Sequence, residues 1–302
     1  MMKRPMRSLL FVPGDSEKKL TKADGVGADV LILDLEDSVT HDRARIARQR
    51  IAAFLQSHPA ADRTRSLWVR INPIQAPASL EDLAAVVRGA PDAILLPKCR
   101  NGKDLVALDY FLSALEVREG LPRGGVAVAP TLTETPRSIL EAHTLLDCSE
   151  RLVALSWGPM DLAAALQAST NRREDGEYEA PYQLARSVCL LTARAAGVEP
   201  IDTVHFNFRD TSGLEAACTA ARRAGFTGKL AIHPDQVPVI NTGFRPTEQE
   251  IHDAQTVMRA LEGRQEGTVG LAGEMLDMPH LTQARMILAR AGFGHAPAAG
   301  QA

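Results

Sequence analysis

Short, dense apolar runs alternate with longer stretches in which apolar residues recur every three or four positions, and the alternation holds through most of the chain. The runs RSLLFVP (7–13), DVLILDLED (29–37), LWVRIN (67–72), AILLPK (93–98), GVAVAP (125–130), LVALSWG (152–158), IDTVHF (201–206) and KLAIHP (229–234) are rich in Leu, Ile and Val. Each closes on Pro, Gly or a polar residue, the pattern of strands buried on both faces. Helical spacing fills 41–56, 79–89, 103–118, 136–146, 181–196 and 211–224 between them. Strands alternating with helices pair in parallel through right-handed crossovers. Eight such units predict a closed α/β (β/α)8 TIM barrel. An open doubly wound sheet is the alternative, but no GxGxxG follows a strand, and GVG (25–27) reads as a helix C-cap.

Two segments interrupt the repeat. The polar stretch STNRREDGEYE (169–179) reads as a loop over the barrel mouth, either a lid or a solvated insertion. After it, TEQEIHDAQTVMRALEGRQ (247–265) reads as one long helix, the eighth of the barrel. A Gly-rich turn GEMLDMPHL (273–281) and a last helix TQARMILARA (282–291) follow, and the tail HAPAAGQA frays. The expected division is therefore a barrel over 1–265 and a C-terminal helical extension over 266–302.

Composition narrows the function class. The 302 residues suit one large barrel, and a net charge of −3 offers no general attraction to nucleic acid or an anionic membrane. Four scattered cysteines form no CxxC pair, which points to a reducing compartment. The apolar run Ser8 to Val12 is too short for a secretory leader and no run is long enough to span a membrane, so a cytoplasmic location is expected.

In a barrel, catalytic side chains come from the C-terminal ends of the strands. Those ends carry Asp34, Glu36, Asp37, Arg70, Lys98, Glu134, Asp161 and His233. So many acids at one mouth need compensating cations. Two carboxylates plus water or substrate oxygens suit Mg2+, and Glu134 with Asp161 is the natural pair; each alone could equally be an acid placed at a helix N-terminus. Arg70 in an apolar strand fits recognition of a carboxylate or an enolate oxygen, or else an ion pair with Glu36 or Asp37. Lys98 could meet substrate, form a Schiff base or neutralise the acids after the second strand. His233 reads as a strand-end turn residue outside the catalytic set.

The motifs RSLLFVPGD (7–15), GADVLILDLEDSV (27–39), VRIN (69–72), LPK (96–98), FRDTSGL (208–214), GFTGKLAIHPDQV (225–237) and GEMLDMPHL make the chain resemble the citrate lyase β-subunit-like family of the HpcH/HpaI aldolase superfamily. That family includes malyl-CoA and citramalyl-CoA lyases. The resemblance implies a lyase or synthase that joins or splits an acyl-thioester enolate and a 2-oxo acid, with Mg2+ as cofactor, Mn2+ as alternative, and a coenzyme A thioester as substrate. Glu134 and Asp161 then match the metal ligands, Glu36 and Asp37 the holders of metal-bound water, Arg70 the arginine at the reacting carbonyl, and Asp277 an acid/base. Asp277 would be carried over the mouth of a neighbouring subunit in a homo-oligomer, with a trimer the expected form. Gly158, Pro159 and Met160 would contact substrate, and Lys18, Lys22 and the His233 region the coenzyme A. Where the family often has GAED this chain has GPMD (158–161), so Met160 replaces an acid and, with Trp157, predicts a more apolar pocket. The alternatives are a citrate lyase β subunit acting on a carrier-protein thioester, an aldolase acting on free oxo acids, and a non-catalytic CoA- or metal-binding regulator.

Overall fold

The computed structural model describes residues 5–261, 268–271 and 274–293. The expected fraying tail, the end of the 247–265 helix and Gly273 lie outside them. Eight parallel strands close a barrel in sequence order: β1 (Ser8–Pro13), β2 (Val30–Asp34), β3 (Ser66–Arg70), β4 (Ala93–Leu96), β5 (Ala127–Leu132), β6 (Ala154–Trp157), β7 (Glu199–Asp202) and β8 (Gly228–Ala231). All eight expected strands are present. Their inward residues fill the barrel with Leu9, Val30, Ile32, Trp68, Ala93, Leu95, Ala129, Ala154, Ile201 and Leu230. Because strand side chains alternate, the inward rows Val30–Ile32 and Trp68 continue upward to Asp34 and Arg70. Register pairs those two residues directly, with Asp34 also opposite Pro13.

Helices α1 (Glu17–Asp24), α2 (Ala44–Ser57), α3 (Ala78–Val86), α4 (Gly102–Arg118), α5 (Pro136–Leu140), α6 (Pro159–Leu166), α7 (Ala180–Ala195), α8 (Thr211–Ala224) and α9 (Gln236–Gly243) follow the strands. The expected helix over 136–146 is broken: α5 starts on a Thr135–Ser138 capping box with Pro136 inside it, and a 3-10 turn over Ala142–Leu145 replaces the rest. The 169–179 excursion is more than a solvated loop. Arg172 bridges to Tyr178, whose ring meets Trp157 edge-on at 5.1 Å, while the Arg172 guanidinium sits 4.0 Å over that ring.

By internal contacts the chain divides into Met1–Asn241 and Thr242–Ala302, earlier than the expected boundary at 265. The helix α10 (Glu248–Leu261) therefore belongs to the second unit. It packs along α11 (Met278–Arg290), with Ala254 against Ala284 and Leu288, and Leu261 clustered with Val269, Leu276 and Leu281. Helical spacing announces an amphipathic element but not which surface it covers. Between the two helices the expected turn is an antiparallel hairpin, β9 (Val269–Leu271) and β10 (Glu274–Leu276). No helix among the described residues is long and apolar enough to cross a membrane.

Candidate active site at the C-terminal ends of the strands

The ends of β2 to β6 gather five carboxylates and two cations. Asp34 holds Arg70 from two sides, Nε to Oδ1 and Nη2 to Oδ2, each at 2.6 Å. It also accepts from the backbone N–H of Glu36 at 3.1 Å and from the Ser38 hydroxyl at 2.5 Å, so one carboxylate fixes both the arginine and the acidic turn. Burial works against ionising Asp34, but the Arg70 guanidinium holds its carboxyl below the usual range. Phe11 lies 4.6 Å beneath that guanidinium. Arg70 Nη1 then reaches Glu36 Oε2 at 2.9 Å and Asp37 Oδ2 at 3.3 Å. The ion-pair reading of Arg70 is thus realised, with Asp34 as its main partner. Nε, Nη1 and Nη2 each make one of these hydrogen bonds, and Nη1 is in addition ion-paired with Glu36.

Lys98 ties this group to the next strands. It leaves β4 after Pro97 with a left-handed φ of 51°, a conformation uncommon for a side-chain-bearing residue. Its backbone N–H donates to Glu134 Oε2, and its ammonium pairs with Glu36 Oε1. The same ammonium lies 3.4 Å from Asp161 Oδ1 and 3.5 Å from Asp37 Oδ1. Glu134 and Asp161 therefore meet on opposite ends of one lysine. Glu134 is buried; burial, then the Asp161 charge, push its carboxyl well above the usual glutamate value. Gly158 makes the space: a Cβ there would stand 2.5 Å from Glu134 Cγ and 2.6 Å from its Oε1. Asp161 sits in the first turn of α6, which Gly158 caps and Pro159 opens.

A hard divalent cation fits these residues. Five carboxylates face two cations, burial pushes Glu36 up despite Arg70 and Lys98, and Glu36 Oε2 is buried without a well-aligned hydrogen bond. Among the described residues no three His, Cys, Asp or Glu side chains form a ready metal cage. Mg2+ needs no such cage, keeping waters or substrate oxygens in its remaining positions.

Other expected residues lie elsewhere. Met160 is exposed, its sulfur 3.4 Å from Asn171 Nδ2 on the 169–179 excursion. Trp157 does not line the pocket: Ala154 points into the barrel, so Trp157 points out of it, buried, donating to Asp202 at 2.8 Å. Lys18 and Lys22 line an open groove of about 1060 Å3 after β1, with Lys19, Arg43, Arg50 and Asp15. Gly14 N donates to Asp34 O at 3.0 Å and so anchors that loop to the charged cluster. His233 stacks on Phe208 at 4.6 Å and accepts from Asp235 N, as a turn residue does. Asp277 caps α11 in the second unit and pairs with His280. Lys98 and Asp34 are the central residues that strand-end reading left without a fixed role.

Comparison with known proteins identifies the lineage. Residues 7–234 match the HpcH/HpaI aldolase/citrate lyase family, and residues 176–294 match the carbon–carbon bond lyases of the TIM-barrel fold. The chain is 31% identical to citrate lyase subunit beta of Haemophilus influenzae, covering 95% of this chain and 97% of that protein. It is 34% identical to a (3S)-malyl-CoA thioesterase of Cereibacter sphaeroides, covering 95% of each. The crystal structure of CitE from Mycobacterium tuberculosis in complex with magnesium, acetoacetate and coenzyme A superposes with a TM-score of 0.77 at 31% identity, covering 95% of this chain and 98% of that one.

Proposed function

We propose, starting from the premise that the chain belongs to the HpcH/HpaI aldolase/citrate lyase family and is a carbon–carbon lyase, that it cleaves or forms a 3-hydroxyacyl-CoA of the malyl- or citramalyl-CoA type. The products of cleavage are an acyl-CoA and a 2-oxo acid. The convergence of Glu134, Asp161, Glu36 and Asp37 on Lys98 and Arg70 is the observation that carries this reading. Glu134 and Asp161 would hold Mg2+, with Glu36 and Asp37 on its waters; when bound, the ion supplies Lewis-acid polarisation of the substrate oxygens. Arg70, fixed by Asp34, would offer a guanidinium N–H to the thioester oxygen, where the enolate charge collects as the C–C bond opens. In this reading Asp277 exchanges the proton at the enolate carbon.

Gly158, Pro159 and Met160 would border the acyl or oxo-acid portion beside Glu134. The basic groove holding Lys18 and Lys22 suits coenzyme A phosphates, with His233 after the neighbouring strand β8 and Phe208 stacked on it. A homotrimer in which the second unit of one subunit covers the barrel of the next is supported by exposed apolar residues on both units. Met160, Phe206, Phe208 and Ile232 follow β6, β7 and β8, and Met275 and Met278 flank Asp277.

Thioester hydrolysis is the second reading, favoured by the 34% identity to a (3S)-malyl-CoA thioesterase. One experiment separates the two. Malyl-CoA, methylmalyl-CoA, citramalyl-CoA and citryl-CoA are incubated with the protein in Mg2+ and in EDTA, and products are resolved chromatographically. Acetyl-CoA or propionyl-CoA plus a 2-oxo acid is the expected result. Free coenzyme A and the intact hydroxy acid would instead establish hydrolysis. No turnover of any member, with Mg2+ bound, would direct attention to a carrier-protein thioester.

A further inference from the structure

Asp277 follows β10 and caps α11, and three residues later the His280 imidazole turns back onto it. His280 Nδ1 lies 2.5 Å from Asp277 Oδ1 and 3.2 Å from the Asp277 backbone nitrogen. A carboxylate oxygen is an acceptor, and so is an unprotonated ring nitrogen. At 2.5 Å two lone pairs cannot face each other, so one proton lies between the groups. It sits either on Nδ1, donating to the carboxylate, or on the carboxyl, donating to Nδ1. The single in-plane site of Nδ1 serves one contact at a time: with the proton on Nδ1 the 2.5 Å contact is the hydrogen bond, and the Asp277 N–H at 3.2 Å gives up this acceptor. Both side chains are partly exposed, 43% for His280 and 45% for Asp277, so the carboxylate is reachable rather than sealed.

We propose that His280 is a positioning residue for Asp277: its Nδ1–H engages Oδ1 and leaves the second carboxylate oxygen aimed outward to exchange a proton with the substrate carbon. This rests on the reading of Asp277 as the acid/base. In the synthetic direction the α C–H bond of the acyl thioester breaks and its proton goes to the free oxygen of Asp277. An O–H bond forms there, and the C–H electron pair becomes the enolate, with its charge on the thioester oxygen. In cleavage the same O–H bond breaks and its proton returns to the enolate carbon. Without the imidazole donor the carboxylate keeps only the His280 backbone N–H of the capping box, so the base is present but held from one side alone.

A residue at this position that only capped the helix would need only an acceptor for the Asp277 N–H. Glutamate and glutamine both supply that acceptor, whereas only glutamine also carries an N–H for Oδ1. The test compares His280→Gln, His280→Glu and Asp277→Asn in the full-length enzyme. It reads kcat and KM on the substrate that turns over, deuterium exchange into the α carbon of acetyl-CoA or propionyl-CoA, and thermal unfolding. Asp277→Asn is expected to lose about 1000-fold in both turnover and exchange, as removal of a proton-transfer group does. His280→Gln is expected to stay within about 5-fold of wild type and His280→Glu to lose about 30-fold in kcat, with KM little changed. Equal kcat for the Gln and Glu variants overturns the proposal and leaves His280 a cap. Full activity in Asp277→Asn refutes instead the acid/base reading beneath it. Should a His280 variant unfold, the ring 15N signals of His280 in the intact enzyme decide, because Asp277→Asn must move Nδ1 if the shared proton exists. An unmoved Nδ1 signal overturns the proposal.

Discussion

The barrel contains two buried clusters built from the same residue types, and they differ in how completely their charges are satisfied. One joins Arg151, just before β6, to Glu116 near the end of α4. Arg151 grips both oxygens of Glu116 at 2.8 Å, and those oxygens also accept from the backbone N–H groups of Gly124 and Val126, again at 2.8 Å. Asp109, Ser113 and the Val126 carbonyl take the remaining guanidinium contacts. Burial opposes ionisation of Glu116, yet Arg151 and the two backbone donors hold its carboxyl below the usual value. The other cluster, around Lys98, has more carboxylates than cations, an oxygen of Glu36 without an aligned donor, and Glu134 driven upward by burial and Asp161. A closed network has no capacity left for a ligand. An open one retains charge that a divalent cation and a substrate can complete.

The comparison predicts opposite phenotypes. Asp161→Ala should reduce Mg2+-dependent turnover by about 1000-fold or more while the protein stays folded, because the proposed metal position is lost and a charge that repels Glu134 goes with it. Isothermal titration with Mg2+ and circular dichroism check the two halves. Turnover without added metal in that variant would sink the metal reading. Arg151→Met should do the reverse, since it strands Glu116 without its cation. We expect about 3–5 kcal/mol of lost stability, measured by urea unfolding, with turnover per folded molecule unchanged. Unaltered stability would mean that the closed cluster is not what holds that end of the barrel.

The same contrast explains what could be read from the chain. The eight strands were legible because Val, Ile and Leu runs are what a two-sided buried sheet requires, and the rule of strand ends then placed Glu36, Asp37, Arg70, Glu134 and Asp161 at one mouth. Pairing was not legible. Asp34 appeared as one acid among several, and only the β2–β3 register sets it directly beside Arg70. Lys98 had open roles because its partners lie after β2, after β5 and in α6, far apart in the sequence and close only once the barrel closes. Trp157 was assigned to the pocket because it neighbours the site in sequence, whereas strand alternation turns it outward to Asp202. Nor does an amphipathic pattern reveal that α10 packs on α11, which is why the boundary fell at 265 instead of 241.

A subtler variant sharpens the comparison. Gly158→Ala leaves every charge in place but puts a Cβ 2.5 Å from Glu134 Cγ. Glu134 must shift, and under the proposed metal site this displaced carboxylate should lower kcat by about 10–100-fold, with Mg2+ still bound but more weakly. Thermal stability should change by about 1 kcal/mol or less, since the neighbour is a side chain able to move. Wild-type kcat in this variant would show that the position of Glu134 does not limit the reaction.

The smallest effect is one of pH, and its sign separates the clusters. Glu134 and Glu36 carry carboxyls raised above their ordinary value of 4.5. Above that value the unfolded chain has released protons that the folded protein retains, so in EDTA stability falls as pH rises toward the folded values. Glu116 and Asp34 are lowered, so their contribution is complete above the ordinary carboxylate range and is lost only as pH falls through their folded values. From pH 5 to 7.5 the open cluster pulls stability down, by at most about 1.4 kcal/mol per pH unit for each raised group, against the His205 imidazole, which burial lowers and whose contribution rises with pH. Saturating Mg2+ should oppose that slope, because the cation binds the ionised carboxylates and stabilises more as they deprotonate. Thermal unfolding across this range, with EDTA and with Mg2+, measures both, and Glu134→Gln should flatten the EDTA curve. A wild-type EDTA curve as flat as that of Glu134→Gln would mean that the mouth is as closed electrostatically as the Arg151 cluster, and the contrast between them would fail.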